Sequence, residues 1–163
     1  MDSRWSIWLM PNQDDAGVLQ PIINSTCEMV ESELFYPHLT LFGRVSVDKN
    51  PIISFLKKKS IQYLPITVSV LKVEVGDTYW KSLYLQLDKN PSLIKLQDDI
   101  CSQLISNRDY EFDPHVSLAY RELDIQNFEM NKLSFPESIT FSSVALVETS
   151  DNISEWKVSE NIQ

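Results

Sequence analysis

The sequence predicts an α+β fold in which antiparallel strands are flanked by outer helices. Three observations carry that reading. Extended, β-branched or alternating apolar runs recur along the chain, and stretches with three-and-four apolar spacing lie between them. Two of the extended runs, Leu64 to Val75 and Tyr79 to Leu87, are separated only by Gly76-Asp77 and its neighbours, as in a hairpin. A short pattern, Pro-His-x-[Thr/Ser]-Leu, occurs twice, at Pro37 to Leu41 and Pro114 to Leu118. Proline is accepted at the first residue of a strand and pushes the residue before it to extended geometry. Each Pro-His therefore opens a strand.

Taken in order, Arg4 to Met10 is aromatic, extended and closed by Pro11, hence a strand. Alternation places Trp5, Ile7 and Leu9 on its core face and Arg4, Ser6, Trp8 and Met10 on the other. Asn12 to Ala16 reads as a polar turn. A helix follows over about Leu19 to Leu34, with Pro21 in its first turn and Ile22, Ile23, Cys27, Val30 and Leu34 as its apolar stripe. The first motif strand runs from Pro37 to about Val45, with Gly43 and Arg44 just past it; Arg44 is read as a surface position, with reach to a phosphate as the alternative. Asp48 caps a second helix, with Pro51 in the first turn, that ends near Lys59. The hairpin comes next, its second strand opening on Tyr79-Trp80. Asn90-Pro91-Ser92 then starts a third helix, with Leu93, Leu96, Ile100, Leu104 and Ile105 on one face, ending near Asn107. Arg108 to Asp113 is a loop into the second motif strand. Asp124 to Lys132 is a short helix or turn, Ile139 to Glu148 a strand, and Glu155 to Val158 a last strand.

The motif carries the chemistry. The chain has only two histidines, and both sit in it. Side chains at i and i+2 of a strand share a face. His38 and Thr40 point one way while Leu39 and Leu41 point to the core. His115 and Ser117 do the same opposite Val116 and Leu118. Two imidazoles, each with an unperturbed pKa near 6.5, can serve as base and acid near neutral pH. The two hydroxyls can donate to the non-bridging oxygens of a bound anion. That set suits a singly charged phosphodiester. A triphosphate is not expected, since there is no glycine-rich phosphate loop and the chain holds three glycines in all. No metal is expected either, because no third histidine exists and Cys27 and Cys101 show no ligand spacing. The same two cysteines are expected as reduced thiols.

Composition narrows the ligand. At 163 residues and 43% hydrophobic, the chain is expected to form one domain, residues 1–163, with its own core. The formal net charge of −9 argues against a groove that tracks long RNA or DNA, which needs lysine and arginine. It favours a small ligand held by local donors. No run approaches the ~20 apolar residues of a membrane span, and the N-terminal stretch is not a signal peptide. A cytoplasmic monomer without a membrane partner is the expectation.

The doubled motif resembles that of the two-histidine phosphoesterases, the LigT-like superfamily. Within it, the sequence is most similar to the branch that opens 2′,3′-cyclic nucleotides and ADP-ribose 1″,2″-cyclic phosphate. Flanking features share the likeness: the Trp5 to Asp15 strand and acidic turn, Tyr79-Trp80, Tyr120 three residues after Ser117, and Glu155-Trp156. The resemblance implies two pseudo-symmetric lobes, each an antiparallel sheet with outer helices, facing each other across a central cleft with one motif apiece. It implies that His38, Thr40, His115 and Ser117 are catalytic, with His115 as base and His38 as acid. It further implies that Tyr120 helps bind the phosphate, and that Trp5 or Trp8, and Tyr79 or Trp80, border the nucleotide; alternation favours Trp8. No cofactor is implied. The expected reaction is hydrolysis of a 2′,3′-cyclic nucleotide to its 2′-phosphate, with ADP-ribose 1″,2″-cyclic phosphate, opened to the 1″-phosphate, as a further candidate substrate. The alternatives are an enzyme acting on cyclic-phosphate RNA ends and a nucleotide-binding module without turnover.

Overall fold

The computed structural model describes residues 4–104, 110–122 and 133–163. Ten elements follow in order: β1 (Trp5–Pro11), α1 (Gln13–Val30), β2 (Leu39–Val45), α2 (Lys49–Tyr63), β3 (Ile66–Thr78), β4 (Lys81–Leu87), α3 (Pro91–Gln103), β5 (His115–Ala119), β6 (Ser138–Glu148) and β7 (Lys157–Ile162). The helix or turn expected over Asp124 to Lys132, and the end of the third helix expected near Asn107, lie outside the described residues. The α+β class is as expected.

Local chemistry explains where the elements begin. The polar stretch read as a turn is the start of α1. The Asn12 side chain accepts from the Asp15 amide at 2.8 Å, and Asp14 and Asp15 sit in the first turn, where the helix dipole favours them. Asp15 also accepts from the Thr140 amide at 2.7 Å, which ties this turn to β6. Pro21 is therefore in the helix interior, not its first turn, and forgoes a bond to the residue 17 carbonyl. Packing compensates: Leu19, Ile23 and Cys27 are fully buried. Asp48 and Asn90 cap α2 and α3 as their side chains predict.

The hairpin turns three residues later than expected, at Tyr79-Trp80. Gly76 is not a turn residue. A Cβ there would lie 1.8 Å from the Lys81 carbonyl oxygen, so glycine lets β3 pass close to β4. The last strand starts at Lys157, after a short 3-10 turn at Ile153–Glu155.

The strands form one seven-stranded antiparallel sheet rather than two separate ones. Its pairings run β2 to β1, β1 to β6, β6 to β3, β3 to β4, β4 to β5, and back from β5 to β2 through a single residue pair, Leu39 opposite Val116. β7 pairs with β6. The two halves expected as lobes persist within this closed order. β2, β1, the later part of β6 and β7 form one; β5, β4, β3 and the start of β6 form the other. Phe141 on β6 faces both Pro11 and Ile66, marking where they meet.

The helices are exchanged between the halves. α1 precedes β2 in sequence but packs on β5, and α3 precedes β5 but packs on β2. Each exchange is locked by buried side-chain bonds to the same motif position. Thr26 of α1 donates to the Leu118 carbonyl at 2.6 Å, and Gln97 of α3 donates to the Leu41 carbonyl at 3.2 Å. Leu39, Leu41, Val116 and Leu118 are fully buried, as the alternation predicts. The opposite faces of the two motif strands are thereby left for a cleft.

Candidate active site

His38 stands one residue before β2 and His115 is the first residue of β5. Both rings are anchored the same way. His38 Nδ1 bonds the Tyr36 carbonyl at 2.7 Å, and His115 Nδ1 bonds the Asp113 carbonyl at 2.8 Å. In each case the carbonyl belongs to the residue before the proline. A carbonyl oxygen only accepts, so Nδ1 carries the proton and Nε2 is left with its lone pair. Both histidines line one cleft of about 400 Å³, within the range of small-ligand pockets.

The surroundings of the two rings differ. His38 is 3% exposed and stacks on Trp8, ring centres 3.5 Å apart and planes 11° apart. Phe35 and Trp156 meet its edge at 6.1 Å each. This burial pushes its pKa down to about 4; the Tyr36 carbonyl opposes the shift, and the nearby His115 adds to it. His115 is also held below its usual value, first by burial and then by the Lys81 charge, against the pull of Asp113. Lys81 pairs with Asp113 and lies 4.8 Å over Tyr84, whose ring in turn meets His115 edge-on at 5.4 Å. Burial raises the Asp113 carboxyl, but the bonds from Lys81 and Gln86 outweigh it and leave it below the usual range.

Tyr120 links the motifs. It follows β5, yet its hydroxyl donates to His38 Nε2 at 3.4 Å. Burial raises its pKa steeply, so it stays a neutral donor; a bond with Ser117 opposes that shift. Thr40 lines the cleft directly. Ser117 is buried at 4% exposure and its hydroxyl is engaged with Tyr120, so the two motif hydroxyls are not equivalent.

Of the aromatic residues singled out in the sequence, Trp8 and Trp80 line the cleft. Trp5 and Tyr79 do not. Trp5 points to the main core, with Lys49 over its ring at 5.6 Å, because it lies on the other face of β1 from Trp8. Tyr79 is in the exposed turn and borders a separate depression beyond Tyr120. Sequence reasoning missed Trp156 as a cleft residue; it meets Trp8, His38 and Tyr120 edge-on and lies nearly parallel to Trp80 at 6.0 Å. Its signal in the sequence is the Glu155-Trp156 pair shared with the resembled branch, just past a polar turn. Arg44, read from the sequence as a surface position, is half-buried and lines the cleft, as does Lys81. Among the described residues, no group of three His, Cys, Asp or Glu is placed to hold a metal ion. Cys27 and Cys101 are free thiols. No described helix is long and apolar enough to cross a membrane.

Comparison with known proteins agrees with this geometry. The family described as "Cyclic phosphodiesterase-like protein" matches residues 3–163. A 2′,3′-cyclic-nucleotide 3′-phosphodiesterase of Yarrowia lipolytica is 23% identical over 94% of this chain and 96% of its own. Crystal structures of Escherichia coli LigT share the fold. The complex with NADP+ has a TM-score of 0.69 at 16% identity, covering 99% of this chain and 96% of the other. The complex with 3′-AMP has a TM-score of 0.64 at 17% identity, covering 99% of both. The chain belongs to the cyclic phosphodiesterase-like family of two-histidine phosphoesterases, and it is a phosphodiester hydrolase.

Proposed function

We propose that the chain hydrolyses 2′,3′-cyclic nucleotides to 2′-phosphates, using its two histidines as base and acid. The observation that carries this reading is the matched anchoring of two imidazoles on one cleft, each with Nδ1 tied to a carbonyl and Nε2 available. The Yarrowia relative, named for cleavage of the 3′ ester, supports the choice of bond. The 3′-AMP bound by LigT supports a ligand of mononucleotide size, not the choice of bond.

In the proposed reaction a water molecule attacks phosphorus in line with the 3′ oxygen. His115 Nε2 takes the water proton as the new P–O bond forms. The P–O3′ bond breaks, and the 3′ oxygen receives a proton from His38 Nε2. Thr40 and Tyr120 donate to the non-bridging oxygens. His38 must be protonated to act as acid, yet burial holds its pKa at about 4. The bound phosphodiester supplies the missing negative charge and raises it. Once Nε2 carries a proton it no longer accepts from Tyr120, whose hydroxyl is then free to turn to the phosphate. The net charge of −9 makes a mononucleotide a better ligand than an RNA end.

The test is product analysis on the four 2′,3′-cyclic mononucleotides and on an oligonucleotide ending in a 2′,3′-cyclic phosphate, with and without chelator. The expected result is 2′-phosphate from the mononucleotides at undiminished rate in chelator. Faster turnover of the oligonucleotide, or a strict metal requirement, overturns the reading.

A further inference from the structure

β2 is irregular beyond Phe42. Ile7 of β1 faces Phe42 and Trp5 faces Val45, so Ser6 alone stands opposite Gly43 and Arg44. This is a β-bulge, a device that re-aims a side chain. Arg44 holds a left-handed backbone, φ 60°, although it carries a Cβ. Such a conformation is strained for a residue other than glycine and persists where the surroundings enforce it. Here they do: the Arg44 amide donates to Ser6 Oγ at 3.2 Å, and Ser6 Oγ shares a hydrogen bond with Thr149 Oγ1 at 2.9 Å. Glycine is already present one residue earlier, so the chain keeps an arginine where glycine is easier.

The bulge returns the guanidinium over the cleft. Its carbon lies 4.8 Å from the centre of the Trp80 ring. Trp80 meets Tyr120 at 5.7 Å, and Tyr120 reaches His38. Arg44 is thus separated from the His38 imidazole by the Trp80 and Tyr120 rings, on the wall of the same cleft. Its carboxylate partner is Asp151, at 2.7 Å, whose side chain is 82% exposed. An ion pair with so exposed a carboxylate is weak and exchangeable. Lys81, also on the cleft wall, is by contrast paired with Asp113 within the anchor of His115.

We propose that Arg44 is a substrate-binding residue that releases Asp151 to take a second anionic group of the ligand, carried beyond the ribose and away from the reacting phosphorus. The inference rests on the cyclic phosphodiesterase reading above. It selects, among cyclic nucleotides, those that also bear a 5′-phosphate. The planar fork of arginine suits a phosphate bidentately, and a chain of net charge −9 offers such a group little else.

The experiment compares kcat/KM for a 2′,3′-cyclic nucleotide with and without a 5′-phosphate. The wild type is expected to favour the 5′-phosphorylated substrate by about 10- to 100-fold. Arg44→Gly, which relieves the backbone strain, should bring that ratio close to one while the chain still melts cooperatively. Arg44→Lys should restore part of it. Asp151→Asn should raise it. Equal turnover of both substrates by the wild type overturns the proposal, as does a ratio unmoved in Arg44→Gly. If neither substrate turns over, the proposed reaction fails; the same ratio read as Kd by calorimetry then decides the role of Arg44 by itself.

Discussion

The two motif strands share a backbone solution and differ in what surrounds it. In both, the residue before the proline lends its carbonyl to the histidine, and the leucine three residues past the histidine lends its carbonyl to the helix of the other half. On this common frame His38 is roofed by Trp8, Phe35 and Trp156, whereas His115 is bordered by Tyr84 and the Lys81–Asp113 pair. Aromatic cover and a charged pair are different ways to set a proton affinity. The first works by excluding water, which is the leading cause at His115 as well; the second adds a fixed charge that a substitution can remove. A repeated frame with unlike surroundings is what an acid-base pair needs, because two identical imidazoles would exchange roles.

The largest effect should come from breaking either half outright. His38→Ala and His115→Ala should each lower kcat on a 2′,3′-cyclic mononucleotide by about 10²- to 10⁴-fold, with near-native melting. Wild-type rates in either variant would refute the pairing of roles. Next comes stability. The folded pKa of His38 is about 4 against 6.5 unfolded, so the unfolded chain binds the extra proton between those values. Stability is therefore full above pH 6.5 and falls as pH drops toward 4, by up to about 3 kcal/mol from this residue alone. His115 contributes with the same sign. Urea unfolding at pH 7 and pH 5 should show this loss in the wild type and a smaller one in His38→Gln; equal losses would mean that aromatic cover does not set the proton affinity.

The exchanged helices should respond more mildly. Thr26→Val leaves the Leu118 carbonyl only the weak Cys27 thiol donor at 3.5 Å, and Gln97→Leu leaves the Leu41 carbonyl without its side-chain donor; each should cost about 1–3 kcal/mol in the same unfolding experiment. A cost confined to one of them would show that the two halves are less alike than the paired bonds suggest. The smallest effect sharpens the contrast itself. Lys81→Met removes a charge that lowers the His115 pKa. NMR titration should show His115 moving up while His38 hardly moves; equal movement of both would dissolve the distinction.

Much of this was legible in the residues, for local reasons. The doubled motif, the buried Leu39, Leu41, Val116 and Leu118, and the caps at Asp48 and Asn90 all follow from side-chain alternation and hydrogen-bond chemistry within a few positions. What was not legible depends on distant partners. Alternation alone puts Phe42 beside Thr40 on the cleft face, yet Phe42 is fully buried, because β2 and β1 slip register between Ile7 and Trp8. The same irregular pairing hides the role of Arg44. The late turn at Tyr79-Trp80 is set by how close β3 runs to the Lys81 carbonyl, which no single segment records. Trp156 reaches the cleft only because the 3-10 turn brings the chain back toward His38.

One pairing has a bearing on how the molecule is made. β1, near the start of the chain, lies against β6, some 140 residues later, along nearly its whole length. On a ribosome, Trp8 emerges long before the strand that will flank it, and its indole stays only partly covered until β6 has emerged. Contacts so far apart in sequence are also slow to form. The stacked Trp8 and His38 thus settle only once β6 is made, and hydrolytic competence should follow it.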